Sequence, residues 1–193
     1  MGTRIAPVLL MVVVALALAG LTTSTRHTDG APIANEPLST TTVSTTSGNV
    51  DARHSFEFAD LWPGWSRTET YTIENAGAAP ERATLSATGL ANNGGSFTAA
   101  ERAVDPANQG DLGTHVHVVA TSEGETVYDG TLEGFVAWGR LDLGVVPSGA
   151  SDTVVIRFAV EPSTGNEIQG DSVGFELRLG VASAAPTQLV PSE

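Results

Sequence analysis

Across its 193 residues the chain carries 22 Asp and Glu against nine Lys and Arg, a formal charge of −13, and no cysteine. Disulfide staples, thiolate chemistry and Cys-ligated zinc are thereby excluded, and nucleic acid is an unsuitable partner because phosphates need clustered cations. All nine basic positions are Arg, which also excludes a Schiff base, a Lys general base and a Lys–Asn isopeptide cross-link.

The N-terminus reads as an export signal. Met1-Gly2-Thr3-Arg4 carries one positive charge, Ile5 to Leu21 is almost wholly apolar, and Ala15-Leu16-Ala17 and Ala17-Leu18-Ala19 both offer a small-x-small cleavage pattern. Residues 1–25 are expected to be removed as a signal peptide, leaving an extracellular or cell-surface protein with no membrane attachment. Residues 26–50 follow as a Thr/Ser-rich arm whose sizeable apolar residues are Ile33, Leu38 and Val43. Such a segment buries too little surface to fold alone. It reads either as a flexible stalk or as a strand waiting for a neighbour, since Thr favours strands and Leu38 to Thr46 contains no Gly or Pro.

From Asp51 onward the period is two. Phe56 and Phe58 share one face; Tyr71 and Ile73 share another; Ala83, Leu85 and Ala87 alternate with polar residues. The same alternation runs through Val116 and Val118, through Val154, Ile156, Phe158 and Val160, and through Val173, Phe175, Leu177, Leu179 and Val181. Half-buried antiparallel strands read in this way. Turn signals separate them at Pro63-Gly64, Asn75-Ala76-Gly77, Asn93-Gly94-Gly95, Glu123-Gly124, Asp129-Gly130, Pro147-Ser148-Gly149 and Ser163-Thr164-Gly165. One segment departs from the period: Leu132, Phe135, Trp138 and Leu141 recur every third position, which predicts a short helix near 131–138 capped by Thr131. The fold expected over 51–185 is all-β, an antiparallel two-sheet sandwich of jelly-roll type, with a short tail at 186–193. Two stretches, "ADLWPGWSRTETYTIEN" and "LGVVPSGASDTVVIRFAV", echo one another, as a sheet corner built twice would.

Four motifs stand in order: "LWPGWSRTETYTIENAG", "VVATSEGETVYDGTLEGF", "LDLGVVPSGASDTVVIRFAV" and "GNEIQGDSVGFELRLGV", the last containing Asn166, Gln169, Gly170, Asp171 and Ser172. In this order, over residues 50 to 182, the chain resembles the TasA/camelysin family of exported bacterial proteins. The aromatic run that family members carry after the signal core is replaced here by "LTTSTRHTDG". The resemblance implies a fibre or biofilm-matrix subunit, in which the arm of one copy completes the sheet of the next. Its expected partners are further copies of itself and other matrix or cell-surface components. A monomeric adhesion module is the alternative, and camelysin-type metallopeptidase activity is a third reading.

Residue types bear on the third reading. A zinc peptidase needs three protein ligands and a nearby base, and the chain has no HExxH or HxxEH among its four histidines. His115 and His117 stand two apart on an expected strand, where they would share a face and could chelate a metal. Two solvent-facing histidines is the preferred reading. No G-x-S-x-G is present, and no catalytic residue or cofactor is assigned. The run Asp105-Pro106-Ala107-Asn108-Gln109-Gly110-Asp111 offers oxygen ligands for Ca²⁺ but lacks the full loop pattern, so a solvated loop is preferred. Trp62 and Trp65 are left between sugar stacking, an interface and core filling.

Overall fold

The computed structural model describes residues 39–45, 50–95 and 97–184. The signal-peptide assignment therefore lies outside the described residues. Among the described residues nine strands form: β1 (Ser39–Thr45), β2 (Val50–Ala59), β3 (Ser66–Asn75), β4 (Glu81–Asn93), β5 (Val116–Ser122), β6 (Glu125–Thr131), β7 (Arg140–Val146), β8 (Ser151–Val160) and β9 (Ser172–Ser183). Three short helices interrupt them, α1 (Glu101–Val104), α2 (Leu112–His115) and α3 (Leu132–Trp138), with a 3-10 turn at Asn166–Ile168.

The strands divide into a five-stranded sheet, β1-β3-β8-β5-β6, and a four-stranded sheet, β2-β9-β4-β7. With β1 set aside, the order β3-β8-β5-β6 facing β2-β9-β4-β7 is the wrapped order of a double-sheet jelly roll. Every pairing among these eight strands is antiparallel. Only β5 and β6 join as a hairpin within one sheet. Its two-residue loop, Glu123 at φ 48° and Gly124 at φ 83°, has the left-handed pair that matches strand twist.

The core lies between the two inner faces and follows the alternation. Phe56, Phe58, Phe158 and Phe175 meet at its centre. Phe56 stacks on Phe175 at 5.0 Å, and Phe58 meets Phe158 edge-on at 5.3 Å. Trp65 is buried and packs edge-on against Phe58 at 5.1 Å, whereas Trp62 packs against the core while only partly buried. Trp65 is thus core filling at a corner.

The two echoing stretches are corners that seat on each other's strands. Trp62-Pro63-Gly64-Trp65 is a turn with Pro in its second place and Gly64 at φ 85° in its third, closed by Trp65 N–H donating to Trp62 O at 3.0 Å. Gly64 N–H donates to Val160 O at 3.0 Å, at the end of β8. The second turn is closed by Ala150 N–H donating to Pro147 O at 3.1 Å. Gly149 N–H donates to Asn75 O at 2.8 Å and Asn75 N–H to Ala150 O at 3.0 Å, at the end of β3. Because β3 and β8 are antiparallel neighbours, each corner closes the strand that leaves the other.

Helix α3 sits where the three-residue period placed it. Thr131 Oγ1 accepts from Gly134 N–H at 3.1 Å, the cap expected from the sequence. Leu132 and Phe135 are buried, but Trp138 is 66% exposed, its ring set perpendicular to that of Tyr128 at 5.9 Å. The period overstates the buried face by one turn.

Candidate functional site

The arm residues come first, because the fibre expectation rests on them. Val43 is buried in its own chain's sheet; Ile33 and Leu38 lie outside the described residues. β1 runs parallel to β3 along its whole length, Ser39 opposite Glu69 through Thr45 opposite Asn75. Ala76 N–H donates to Thr45 O at 2.8 Å, Ser44 Oγ donates to a Glu74 carboxylate oxygen at 2.6 Å, and Thr45 Oγ1 donates to the buried Glu81 carboxylate. The edge of β3 that a neighbour's strand would need is filled from within. Beneath β1, a small cavity between the sheets is lined by Thr41, Val43, His54, Tyr71, Leu177 and Leu179, among others.

The candidate metal pair is not assembled. His115 is the last residue of α2 and not part of a strand; only His117 lies on β5. Each histidine faces its own acid, His115 Nε2 at 3.4 Å from Asp111 Oδ1 and His117 Nε2 at 2.9 Å from Asp129 Oδ1. His54 is elsewhere, stacked on Phe56 at 4.5 Å. Among the described residues no three of His, Cys, Asp and Glu come together as a metal cage. The three-ligand centre of a zinc peptidase is therefore not built from them.

A polar arrangement is built by the β4–β5 connection where it caps the turn before β9. Its backbone is closely packed: a Cβ on Gly110 would lie 2.1 Å from Asn93 C, and one on Gly95 would lie 1.8 Å from Gly170 O. Thr98 and Glu101 form a capping box at the start of α1, with Glu101 N–H donating to Thr98 Oγ1 at 3.1 Å and Thr98 N–H to Glu101 Oε2 at 3.2 Å. Thr98 Oγ1 also donates to Gln169 Oε1 at 2.8 Å, tying α1 to the 3-10 turn. Asp105 spends both carboxylate oxygens on its own loop, accepting from Ala107 N–H at 3.1 Å and Gln109 N–H at 2.7 Å. Asp171, fully buried, accepts from Asp111 N–H through Oδ2 at 3.0 Å.

Three oxygens in this cap, Glu101 Oε1, Asn108 Oδ1 and Asp171 Oδ1, are buried without a hydrogen-bond donor, and Asp111 Oδ1 faces His115 Nε2 at 3.4 Å. Glu101 and Asp171 are completely buried residues. Burial pushes the Asp171 carboxyl above the usual range, against the pull of the Asp111 N–H, and the charges of Asp111, Glu101 and Asp105 push the same way. Sequence reasoning noted the Asp105–Asp111 run and named Asp171 only within a family motif, without a role, and it missed Glu101. The Thr98-x-x-Glu101 capping box was the available signal for Glu101.

A second acidic contact lies at the β5–β6 hairpin. Asp152 Oδ2 accepts from Ser122 Oγ at 2.9 Å, and Glu123 accepts from Thr153 N–H at 2.9 Å. Burial raises the Asp152 carboxyl, with the hydrogen bond and charge of Glu123 adding to it and Ser122 opposing; the Thr153 N–H chiefly lowers Glu123. The folded chain binds the Asp152 proton more tightly than the unfolded chain does. The stability from that proton is fully present below the ordinary aspartate value and is lost as pH rises through the raised one. Asp152→Asn is expected to remove this loss and to raise Tm near pH 7 relative to wild type, with the advantage vanishing on acidification. Melting curves across pH check it.

No family model matches the chain, and no curated protein sequence matches it. Among solved structures it is similar to PliG of Aeromonas hydrophila, a periplasmic inhibitor of g-type lysozyme, at 14% identity and TM-score 0.36, over 77% of this chain and 99% of that one. It is also similar to a mutant of the corresponding Escherichia coli inhibitor at 11% identity and TM-score 0.33, over 74% and 97% of the two chains. At these values the likeness assigns this chain no partner. Because β1 occupies the β3 edge of its own chain's sheet, the expectation of a self-assembling fibre subunit, with copies of itself as partner, is corrected.

Proposed function

We propose that the chain is an exported, monomeric, non-catalytic β-sandwich module that binds a different macromolecule at or outside the cell surface. The observation that carries this reading is the placement of β1: its polar backbone is paired with β3, and Val43 and Thr45 are buried. Only residues 46–49 separate β1 from β2. Closing so short a connection costs far less than the roughly 4–15 kcal/mol of lost translation and rotation in bringing in a second molecule's strand. The same pairing is therefore favoured within the chain over between chains.

Export is supported by the signal-like residues 1–25. The resemblance to the TasA/camelysin family is then one of motifs and architecture and does not extend to polymer assembly. Binding modules commonly present exposed aromatic anchors. Among the described residues Trp138, at the end of α3, is an exposed aromatic of that kind, and Val104 and Val145 are exposed aliphatic side chains. Sedimentation equilibrium of the mature chain over about a hundredfold range of concentration tests the reading, since self-association makes mass concentration-dependent. A constant monomer mass is expected, and a mass that climbs with concentration overturns it.

A further inference from the structure

We propose, on the reading of the chain as a binding module, that the end of the sandwich carrying the β2–β3, β4–β5, β6–β7 and β8–β9 connections is its binding surface, and that its partner is a protein surface rich in Arg and Lys that anchors on Trp138. Strand register brings the four connections together. β2 ends at Ala59 opposite Ser172, where β9 begins and where β4 ends at Asn93. β3 begins at Ser66 opposite Ala159, and His117 stands between Ala159 and Thr131, the end of β6. Hydrogen bonds tie the connections to one another: Gly64 N–H to Val160 O at 3.0 Å, Thr98 Oγ1 to Gln169 Oε1 at 2.8 Å, and Asp111 N–H to Asp171 Oδ2 at 3.0 Å. Helix α3 bridges the edge strands β6 and β7 of the two sheets and packs on α2 and β4.

Charge is sorted between the two ends. The four connections at this end hold eight acids and one arginine, Arg102, whose guanidinium lies 4.6 Å from the Phe97 ring centroid. The connections at the opposite end, residues 46–49, 76–80, 123–124 and 147–150, hold a single charged residue, Glu123. Of the eight acids, Glu101 and Asp171 are buried. Asp60, Glu133 and Glu161 are exposed, and Asp105, Asp111 and Glu167 are half-buried. The same end carries two of the exposed large apolar side chains among the described residues, Trp138 at 66% and Val104 at 56%. An exposed indole within an acidic field suits a cation: its ring face attracts a guanidinium or an ammonium, and Trp does so more strongly than Tyr or Phe. The acids repel phosphate-bearing and other anionic surfaces and attract a cationic one from a distance. Because the charge is one-sided, it also orients the encounter, bringing this end to the partner first. Trp138 and Val104 then supply the apolar contact that fixes the complex.

The test titrates the full mature chain with a dodecapeptide of alternating Arg and Gly, and with the matching Glu-Gly peptide, by calorimetry at about 20 mM and about 300 mM NaCl. The Arg peptide is expected to bind at low salt and to lose about tenfold or more in affinity at high salt, and the Glu peptide is expected not to bind. Trp138→Ala is expected to weaken Arg-peptide binding about tenfold with Tm unchanged, since the side chain is exposed. Trp138→Phe keeps an aromatic face and should retain most of the affinity. Glu161→Lys is expected to weaken binding about fivefold, whereas Glu125→Lys, the same charge change beside the opposite end, should cost less than about twofold. The proposal is overturned by an affinity that Trp138→Ala leaves unchanged, by equal losses from Glu161→Lys and Glu125→Lys, or by no binding of the Arg peptide at about 1 mM. Each of those results leaves the chain a monomeric module. The module reading itself fails on a different observation, a mass that climbs with concentration.

Discussion

Phe158→Ala is expected to lower the unfolding free energy by about 4 kcal/mol, the cost of a fully buried aromatic cut to a methyl group. Phe158 lies on β8, between β3 and β5, and its ring meets Phe56 at 5.6 Å, Phe58 at 5.3 Å and Phe175 at 5.7 Å. Those three rings come from the facing sheet, so the cavity would open where the two layers are joined. Neighbouring strands hold the backbone, which limits collapse into the space and keeps the cost near the upper part of the range. Tm should fall by about 8–16 °C for a domain of this size. Urea unfolding followed by tryptophan fluorescence checks it, with the midpoint shifted and the slope unchanged. Phe158→Leu should recover most of the loss because it refills most of the volume.

The second large effect is at Asn75. Its Nδ2 donates to Ala79 O and to Val146 O, each at 2.9 Å, and its Oδ1 accepts from Gly77 N–H at 2.9 Å. With its backbone bonds to the Pro147–Ala150 turn, this one side chain ties the end of β3, the start of β4 and the end of β7 together. Asn75→Ala strands three backbone groups and is expected to cost about 3 kcal/mol. Asn75→Asp is the sharper variant. A carboxylate cannot donate, so it would set negative oxygen against two carbonyls. Its damage should be at least as large at pH 7 and should ease on acidification, as a protonated carboxyl regains one donor. Chemical denaturation of both variants at two pH values checks the pair.

These two residues also show how far the sequence was legible. Phe158 is placed correctly by alternation alone, as are the strands around it, because a half-buried strand writes its inward face at every second position. Asn75-Ala76-Gly77 reads only as a turn. That the asparagine points inward and holds three elements depends on β7, seventy residues away in the chain, which no local pattern reports. The buried acids were missed for a related reason. Glu69 shares the inward face of Tyr71 and survives there because Arg67 Nε donates to it at 2.6 Å, a bond visible only once β3 is extended. Its strand shows polar alternation either way.

The arm illustrates a different limit. "STTTVST" has the composition of a strand, and a strand it is. Which edge it completes is a matter of topology. The same backbone hydrogen bonds and the same burial of Val43 would serve in the chain's own sheet or in a neighbour's, so residue types carry no preference between them. His115 shows a boundary effect: the alternation of His115, Val116, His117 and Val118 extends one residue too far, because α2 delivers His115 and the strand begins at Val116.

The most direct test of the central claim, that β1 completes its own chain's sheet, is a cross-link. Thr42 and Thr72 face one another across the β1–β3 pair, and both side chains reach the outer face. Neighbouring strands place such Cα atoms within disulfide range, and the chain has no cysteine to compete. Thr42→Cys/Thr72→Cys, oxidised in dilute solution and run on a non-reducing gel, should give a monomer with an internal disulfide and a raised Tm. A ladder of covalently linked copies, or free thiols with no internal bond, would contradict the account.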